Sequence, residues 1–336
     1  MRRKLRRIKS TLKDVKDTLL RGRVPVHQGL LKQGLEPYQI YPKGGNLNFA
    51  FITSPIERYP KIIYPDTPIA AIGSCFSVEI KSYLDSHGFN FIQTEDSSTN
   101  LSAGSADWGR VYTSKNLLQI FQYSFGEFSP EIQSARADKG VFDPYREGRI
   151  YPTQQEADQA ITKHRMESRA ALSACKVLII TPGQNEAWIN RSDGLAWAHP
   201  PPPEFLSDYG PDNFYLKRFS LSENVEYLNQ TLNILWENNP DSKVILTLSP
   251  IPSYATFTDV NVVSRSIENK AILLLAVKEV INQHPGKTYY FPSFEMAMLS
   301  HNANLQLDNR HVRFGLVEKI MSSFDDCFVT SNVPKP

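Results

Sequence analysis

A serine, an aspartate and a histidine stand in this chain at points where a nucleophile and its base could be presented. Ser74 follows Gly73 in Gly73-Ser74-Cys75-Phe76. The glycine permits a sharp strand-to-helix turn, and the helix start beyond it offers backbone N–H groups and a partial positive charge. A serine hydroxyl attacks poorly unless a base takes its proton. Asp308 and His311, three apart in Asp308-Asn309-Arg310-His311, fit a carboxylate that holds the imidazole serving as that base. Taken singly each is ordinary: a serine after a glycine is usually a helix N-cap, and Asp-x-x-His is usually a surface pair. Cys75 is a rival nucleophile, because a thiolate at a helix N-terminus beside a histidine is reactive. Its alternative is a small residue buried behind the turn.

These residues belong to a larger pattern of strands and helices. Apolar runs at Pro68 to Ile72, Phe89 to Thr94, Lys176 to Thr181, Lys243 to Leu248 and Thr288 to Phe291 read as strands. Ser77 to His87, Ser114 to Tyr123, Gln154 to Ala174, Leu221 to Asn238, Ser264 to His284 and Phe314 to Phe324 read as helices. Gly88 closes the first helix, and Asn239 with Pro240 the fourth. Such alternation predicts an α/β fold with a parallel sheet covered on both faces. In that architecture the ligand crevice lies beyond the carboxyl ends of the strands. There the sequence places Gly73-Ser74-Cys75-Phe76, Gly183-Gln184-Asn185-Glu186-Ala187-Trp188 and Ser249-Pro250-Ile251-Pro252. The stretch from Gly183 to Lys217, broken by Gly194, Pro200 to Pro203 and Gly210, reads as a long surface insertion.

Gly73-Ser74-Cys75-Phe76-Ser77 resembles the signature of the GSCFA domain, a branch of the SGNH (GDSL-like) hydrolase superfamily, with Ser77 where the namesake motif has Ala. The resemblance runs from about Ile63 to Phe324, through Trp108-Gly109-Arg110-Val111-Tyr112-Thr113, Thr181 to Trp188, Thr247 to Pro252 and Asp308 to His311. It implies a three-layer α/β/α sandwich with a flavodoxin-like parallel sheet. It also implies that Ser74, Asp308 and His311 form a triad, with an oxyanion hole built from the N–H groups of Ser74 and Gly109 and the side-chain amide of Asn185. Many members of the family carry Thr or another residue at the position of Asn185. Trp108, Arg110, Tyr112 and Trp188 follow the motif glycines and either line an acceptor groove or pack as core and rim. Glu186 either orients a site group or pairs with Arg110, and Arg310 reads as a structural salt-bridge partner. Acyl transfer follows: water as acceptor makes an esterase, a sugar hydroxyl makes an O-acyltransferase. The expected substrate is an acyl ester, foremost an acetyl ester, on a carbohydrate. The rival from another class is a catalytically idle module that binds a glycan or a protein.

Charge separates the ends of the chain. Of 336 residues, 37 are Lys or Arg and 35 Asp or Glu, a net +2. The first 23 residues hold ten basic and two acidic residues, +8, which leaves 27 basic against 33 acidic in the remainder, −6. Leu5, Ile8, Leu12, Val15 and Leu19 recur there at helical spacing, as in a helix that docks on an anionic membrane surface or an acidic partner, or in a solvated tail. Residues 24–48 read as a linker, 49–330 as the hydrolase-like domain and 331–336 as a tail. Nucleic-acid binding is disfavoured, since the basic cluster is confined to one end while the body is acidic. No run reaches the ~20 apolar residues of a membrane span, and no apolar core follows the basic start, which argues against Sec export. Three cysteines without CxxC spacing suggest a reducing, cytoplasmic setting, with peripheral membrane contact through residues 1–23. Seven histidines without paired spacing, and no glycine-rich phosphate loop, lead to the expectation of no metal and no cofactor.

Overall fold

A computed structural model describes residues 34–42, 47–56, 60–95, 104–300 and 305–330. The basic stripe of residues 1–23 and the tail 331–336 lie outside the described residues. The chain divides into two units, Met1–Pro55 and Ile56–Pro336. The first carries a 3₁₀ turn, Pro37–Gln39, and a short helix α1, Phe49–Thr53, whose N-cap Asn48 accepts the Phe51 N–H.

The second unit runs β1 (Ile69–Gly73), α2 (Cys75–Ser86), α3 (Ser114–Phe125), β2 (Ala135–Ala137), β3 (Gly140–Phe142), β4 (Ile150–Tyr151), α4 (Gln154–Ala174), β5 (Val177–Thr181) and β6 (Glu186–Asn190). It continues with α5 (Pro203–Tyr209), β7 (Phe214–Arg218), α6 (Leu221–Asn238), β8 (Lys243–Thr247), α7 (Val262–Gln283), β9 (Thr288–Phe291), α8 (Ser293–Leu299) and α9 (Phe314–Phe328). Strands β1, β5, β8 and β9 pair in that order, all parallel. Their near-continuous Ile, Val and Leu content follows from burial on both faces. One face, with Ala70, Ile72, Leu178, Ile180, Val244 and Leu246, packs on α3, α4, α6 and α7. The other carries α2, α8 and α9, and here Phe291 meets Phe324 and Phe328 edge-on. The result is the expected three-layer sandwich.

The expected second strand, Phe89 to Thr94, shrinks to one parallel bridge between Phe91 and Ile69. It still lies beside β1, so the spatial order is the flavodoxin-like one. Pairing stops there because Ser105 takes over the β1 edge: its N–H donates to Ala71 O and its Oγ accepts the Ala71 N–H. Helix ends follow their sequence signals. Thr153 with Glu156 and Ser220 with Glu223 form capping boxes on α4 and α6, and Gly126, in the left-handed region, ends α3.

The stretch 183–217 is not a surface insertion. β6 and β7 form an antiparallel pair, and Trp197 and Phe214 are buried with Ala135 and Phe142 of the small β2–β3–β4 sheet. Its prolines and glycines punctuate a folded subregion. Among the described residues no helix is long and apolar enough to cross a membrane.

Candidate active site

The site begins at the carboxyl end of β1. A Cβ on Gly73 would lie 2.5 Å from Thr181 O, so only glycine lets β1 and β5 run this close. The ladder extends one residue further, with the Ser74 N–H donating to Thr181 O at 3.0 Å. Ser74 is thereby fixed as the N-cap of α2 with extended backbone angles. An N-cap serine ordinarily spends its oxygen on the second or third helical N–H. Ser74 does not: its Oγ is buried and has no hydrogen-bond partner among the described residues. A hydroxyl held without a partner costs stability and is free to react. Across from it, a Cβ on Gly183 would stand 2.7 Å from the Ser74 Oγ, so glycine clears the space that the hydroxyl occupies.

The base pair lies in the turn before α9. Asp308 Oδ1 accepts the N–H groups of Arg310 and His311, each at 3.0 Å, while Oδ2 meets His311 Nδ1. Asn309 adopts the left-handed conformation, φ 56°, that closes this turn. The hydrogen bond from His311, reinforced by the two backbone N–H groups, holds the Asp308 carboxyl well below the usual carboxylate range. Arg310 ties the turn to the segment after β8, donating to Pro252 O at 3.0 and 3.3 Å and lying over the Tyr254 ring. His311 also faces Glu79 of α2, whose carboxyl is pushed up by burial and drawn partly back by the imidazole. The Asp308–His311 contact is formed, while Ser74 Oγ makes no hydrogen bond to His311.

A cleft of about 280 Å³ opens at this end of the sheet, with Ser74, Cys75, Tyr112, Gln184, Ser249 and Arg310 in its lining and Tyr254 and Phe257 at its side. Cys75 is half-buried there, its Sγ 4.0 Å from Tyr112 Oη and 3.8 Å from Arg110 Nη1, so it is not simply a small residue behind the turn.

Several expected roles change. The Ser74 N–H is committed to Thr181 O and is not a free oxyanion donor. Asn185 is fully buried, with Nδ2 donating to Phe219 O and Oδ1 accepting from Asn224 Nδ2, both at 2.7 Å; its amide clasps the β7–α6 junction instead of the cleft. Trp108 is a core residue, its Nε1 donating to Ser168 Oγ at 2.8 Å. Arg110 forms a bidentate pair with Glu147, and Glu186 accepts from Thr256 Oγ1 at 3.1 Å, so these two do not pair with each other. Arg310 binds a carbonyl in the cleft wall and no carboxylate side chain. Gly109 is left-handed, φ 67°, and a Cβ there would stand 3.0 Å from Glu147 N. Its N–H makes no hydrogen bond to a described residue. Tyr112 lines the cleft and donates to Glu147 Oε1 at 3.3 Å, and Trp188 supports Phe257 edge-on.

Lys270 escaped the sequence reading. It is buried on α7, donates to Gly183 O at 2.8 Å, and burial pushes its ammonium down to about 7, with Arg310 pushing the same way and Cys75 opposing. Its signal was position: it continues the buried face of α7 formed by Ser266, Asn269, Leu273, Ala276 and Val277. Glu147 was equally hidden, in a segment without periodicity. Among the described residues no group of three His, Cys, Asp or Glu could hold a metal ion.

Two solved structures resemble the chain. An acetyl xylan esterase, Est2A, from Butyrivibrio proteoclasticus is 9% identical, with 80% of this chain and 64% of that one covered and a TM-score of 0.35. A family two carbohydrate esterase from Clostridium thermocellum, in complex with cellohexaose, is 11% identical, with 79% and 63% covered and a TM-score of 0.31. The chain thus spans less than two thirds of either structure's length. No curated protein matches it. The sequence model of the GSCFA family, by contrast, takes in residues 68–324, from the strand that delivers Ser74 to the helix that follows His311, and the chain belongs to that family.

Proposed function

We propose that this protein is a serine esterase-type enzyme that cleaves, or transfers to a hydroxyl acceptor, an acyl ester on a carbohydrate. One observation carries the reading: a buried serine hydroxyl without a partner faces a cleft whose wall is tied, through Arg310 and Pro252, to a preformed aspartate–histidine pair.

The chemistry runs as follows. With Nδ1–H donated to Asp308, the lone pair of His311 resides on Nε2. Nε2 takes the Ser74 proton as the Oγ–C bond forms and the carbonyl π pair moves to oxygen. The tetrahedral intermediate collapses, the C–O bond to the leaving alcohol breaks, and that oxygen receives the proton from His311. Water or a second hydroxyl then attacks the acyl-serine by the same steps in reverse. Asp308 holds the tautomer and stabilises the imidazolium, and the free N–H of Gly109 is one donor to the oxyanion. The Ser74–His311 hydrogen bond, not made in this structure, forms when ester fills the cleft, as catalytic contacts commonly do on substrate binding. Tyr254, 81% exposed, and Phe257, 57% exposed, offer ring faces of the kind that stack on sugars, which supports the carbohydrate part of the reading.

The test is p-nitrophenyl acetate turnover by the parent, Ser74→Ala, His311→Ala and Cys75→Ala, with and without a sugar acceptor. Loss in the first two variants and retention in the third is expected. Undiminished activity in both Ser74→Ala and His311→Ala removes the triad, and loss confined to Cys75→Ala transfers the nucleophile to the thiol. A glycan-binding module without turnover, inert to a fluorophosphonate probe, is the outcome that replaces the enzyme reading.

A further inference from the structure

We infer that the side-chain amide of Gln184 is an oxyanion-hole donor of this site, positioned by Ser253. The inference rests on the esterase reading above and adds a catalytic residue to it.

A family-level pattern of motifs leads to Asn185 for this role, but that residue is fully buried, its amide is held by Phe219 and Asn224, and it does not line the cleft. The oxyanion then lacks a side-chain donor, and the Ser74 N–H is spent on Thr181 O. Gln184 stands one residue earlier, where the chain has left β5 and not yet entered β6. Asn185 turns inward to Phe219 and Asn224, and Gln184 lines the cleft with Ser74.

Three contacts fix Gln184. Its N–H donates to Tyr112 O at 2.9 Å, beside the Gly183 N–H on the same carbonyl at 3.0 Å. Its Oε1 accepts from Ser253 Oγ at 2.5 Å. Ser253 is itself held, its N–H donating to Ser266 Oγ of α7 at 3.0 Å. With the amide oxygen pinned, Nε2 makes no hydrogen bond to any described residue, although each amide nitrogen carries two protons to donate. Gly183 faces Ser74 across the cleft, where a Cβ on it would stand 2.7 Å from the Oγ, and Gln184, the next residue, lines that same cleft. A preorganised, otherwise unused donor in the nucleophile's cleft is what a developing alkoxide requires, because its orientation costs nothing during the reaction.

The experiment compares parent, Gln184→Ala, Gln184→Glu and Ser253→Ala by p-nitrophenyl acetate kinetics, labelling with a fluorophosphonate and thermal melting. Gln184→Ala is expected to lower kcat by about 10²- to 10³-fold with KM changed only a few-fold, the pattern of a contact made in the transition state. Gln184→Glu keeps the shape and the acceptor for Ser253 but sets a carboxylate against the oxyanion, so its loss is at least as large. Ser253→Ala frees the amide and lies between the parent and Gln184→Ala. A parent with turnover whose Gln184→Ala and Gln184→Glu variants both fold and stay within threefold of its kcat overturns the inference and leaves the esterase reading standing. A parent with neither turnover nor label overturns both.

Discussion

Gly183 and Ser74 meet so closely that a single methyl group on residue 183 would stand 2.7 Å from both the Cβ and the Oγ of the serine. The strand end of β5 is thereby shaped around the hydroxyl delivered by β1. Rotation of the Ser74 side chain can move the Oγ but not the Cβ, which the backbone fixes, so Ala at 183 must push the ends of β1 and β5 apart. Gly183→Ala is expected to lower the melting temperature and, in the folded fraction, to lose about 10²-fold in p-nitrophenyl acetate kcat/KM, the scale of a roughly 1 Å misplacement. Full activity with an alanine there would mean that the hydroxyl need not sit where it does.

On the esterase reading, Asp308 acts through His311. Its carboxyl is exposed and kept anionic far into acid, so Asp308→Asn should leave folding intact at neutral pH. The amide can donate to Nδ1 and so favours the wrong tautomer, which strips Nε2 of its lone pair. A fall in kcat on the order of 10²- to 10⁴-fold is expected. The group's stabilising contribution is present above the ordinary carboxylate value of 3.8 and disappears as pH drops through the depressed folded value. A circular-dichroism acid titration in which parent and Asp308→Asn coincide throughout contradicts the pairing.

Asn185 is assigned a structural duty. Asn185→Ala leaves Phe219 O buried without its side-chain donor, at about 1–3 kcal/mol, and takes one of two acceptors from the Asn224 amide nitrogen, which still donates to Ser220 O. A clear drop in the urea midpoint is expected, with activity per folded molecule close to the parent's. A stable variant with kcat reduced 10²-fold would return the oxyanion role to this residue.

Lys270 gives stability a pH dependence of known sign. Its folded value, about 7, lies below the ordinary 10.5, so between those limits the unfolded chain binds a proton that the folded chain releases. Stability due to this group therefore rises with pH from about 7 to about 10, by up to about 1.4 kcal/mol per pH unit, and is flat below. Lys270→Met removes the slope. Urea unfolding of both proteins at pH 7 and pH 9 checks this, and parallel curves contradict it.

Tyr254 tests the sugar contact. Being largely exposed, it can be changed to Ala with little effect on melting. The expected effect is a KM for acetylated polysaccharide raised by about fivefold, the loss of a stacking contact worth roughly 1 kcal/mol. An unchanged KM would place the glycan elsewhere or discard it.

The periodicity of apolar residues determined the layers. Gln154–Ala174, Leu221–Asn238 and Thr288–Phe291 have the boundaries their patterns announce, because buried strands and amphipathic helices write their period into the sequence. The motifs likewise pointed to Ser74 and to the Asp308–His311 pair, whose contact the local turn makes. Direction and partnership were not legible. Whether Asn185 or Gln184 faces the cleft is settled by which amide Phe219 and Asn224 capture, and those partners lie more than thirty residues away in sequence. Whether Trp108 lines a groove or packs in the core is decided when Ser168 takes its N–H, and Lys270 gains its place only when α7 packs against Gly183. A side chain's hydrogen-bonding capacity belongs to the residue, but how that capacity is used is fixed only when distant segments are brought to within 3 Å.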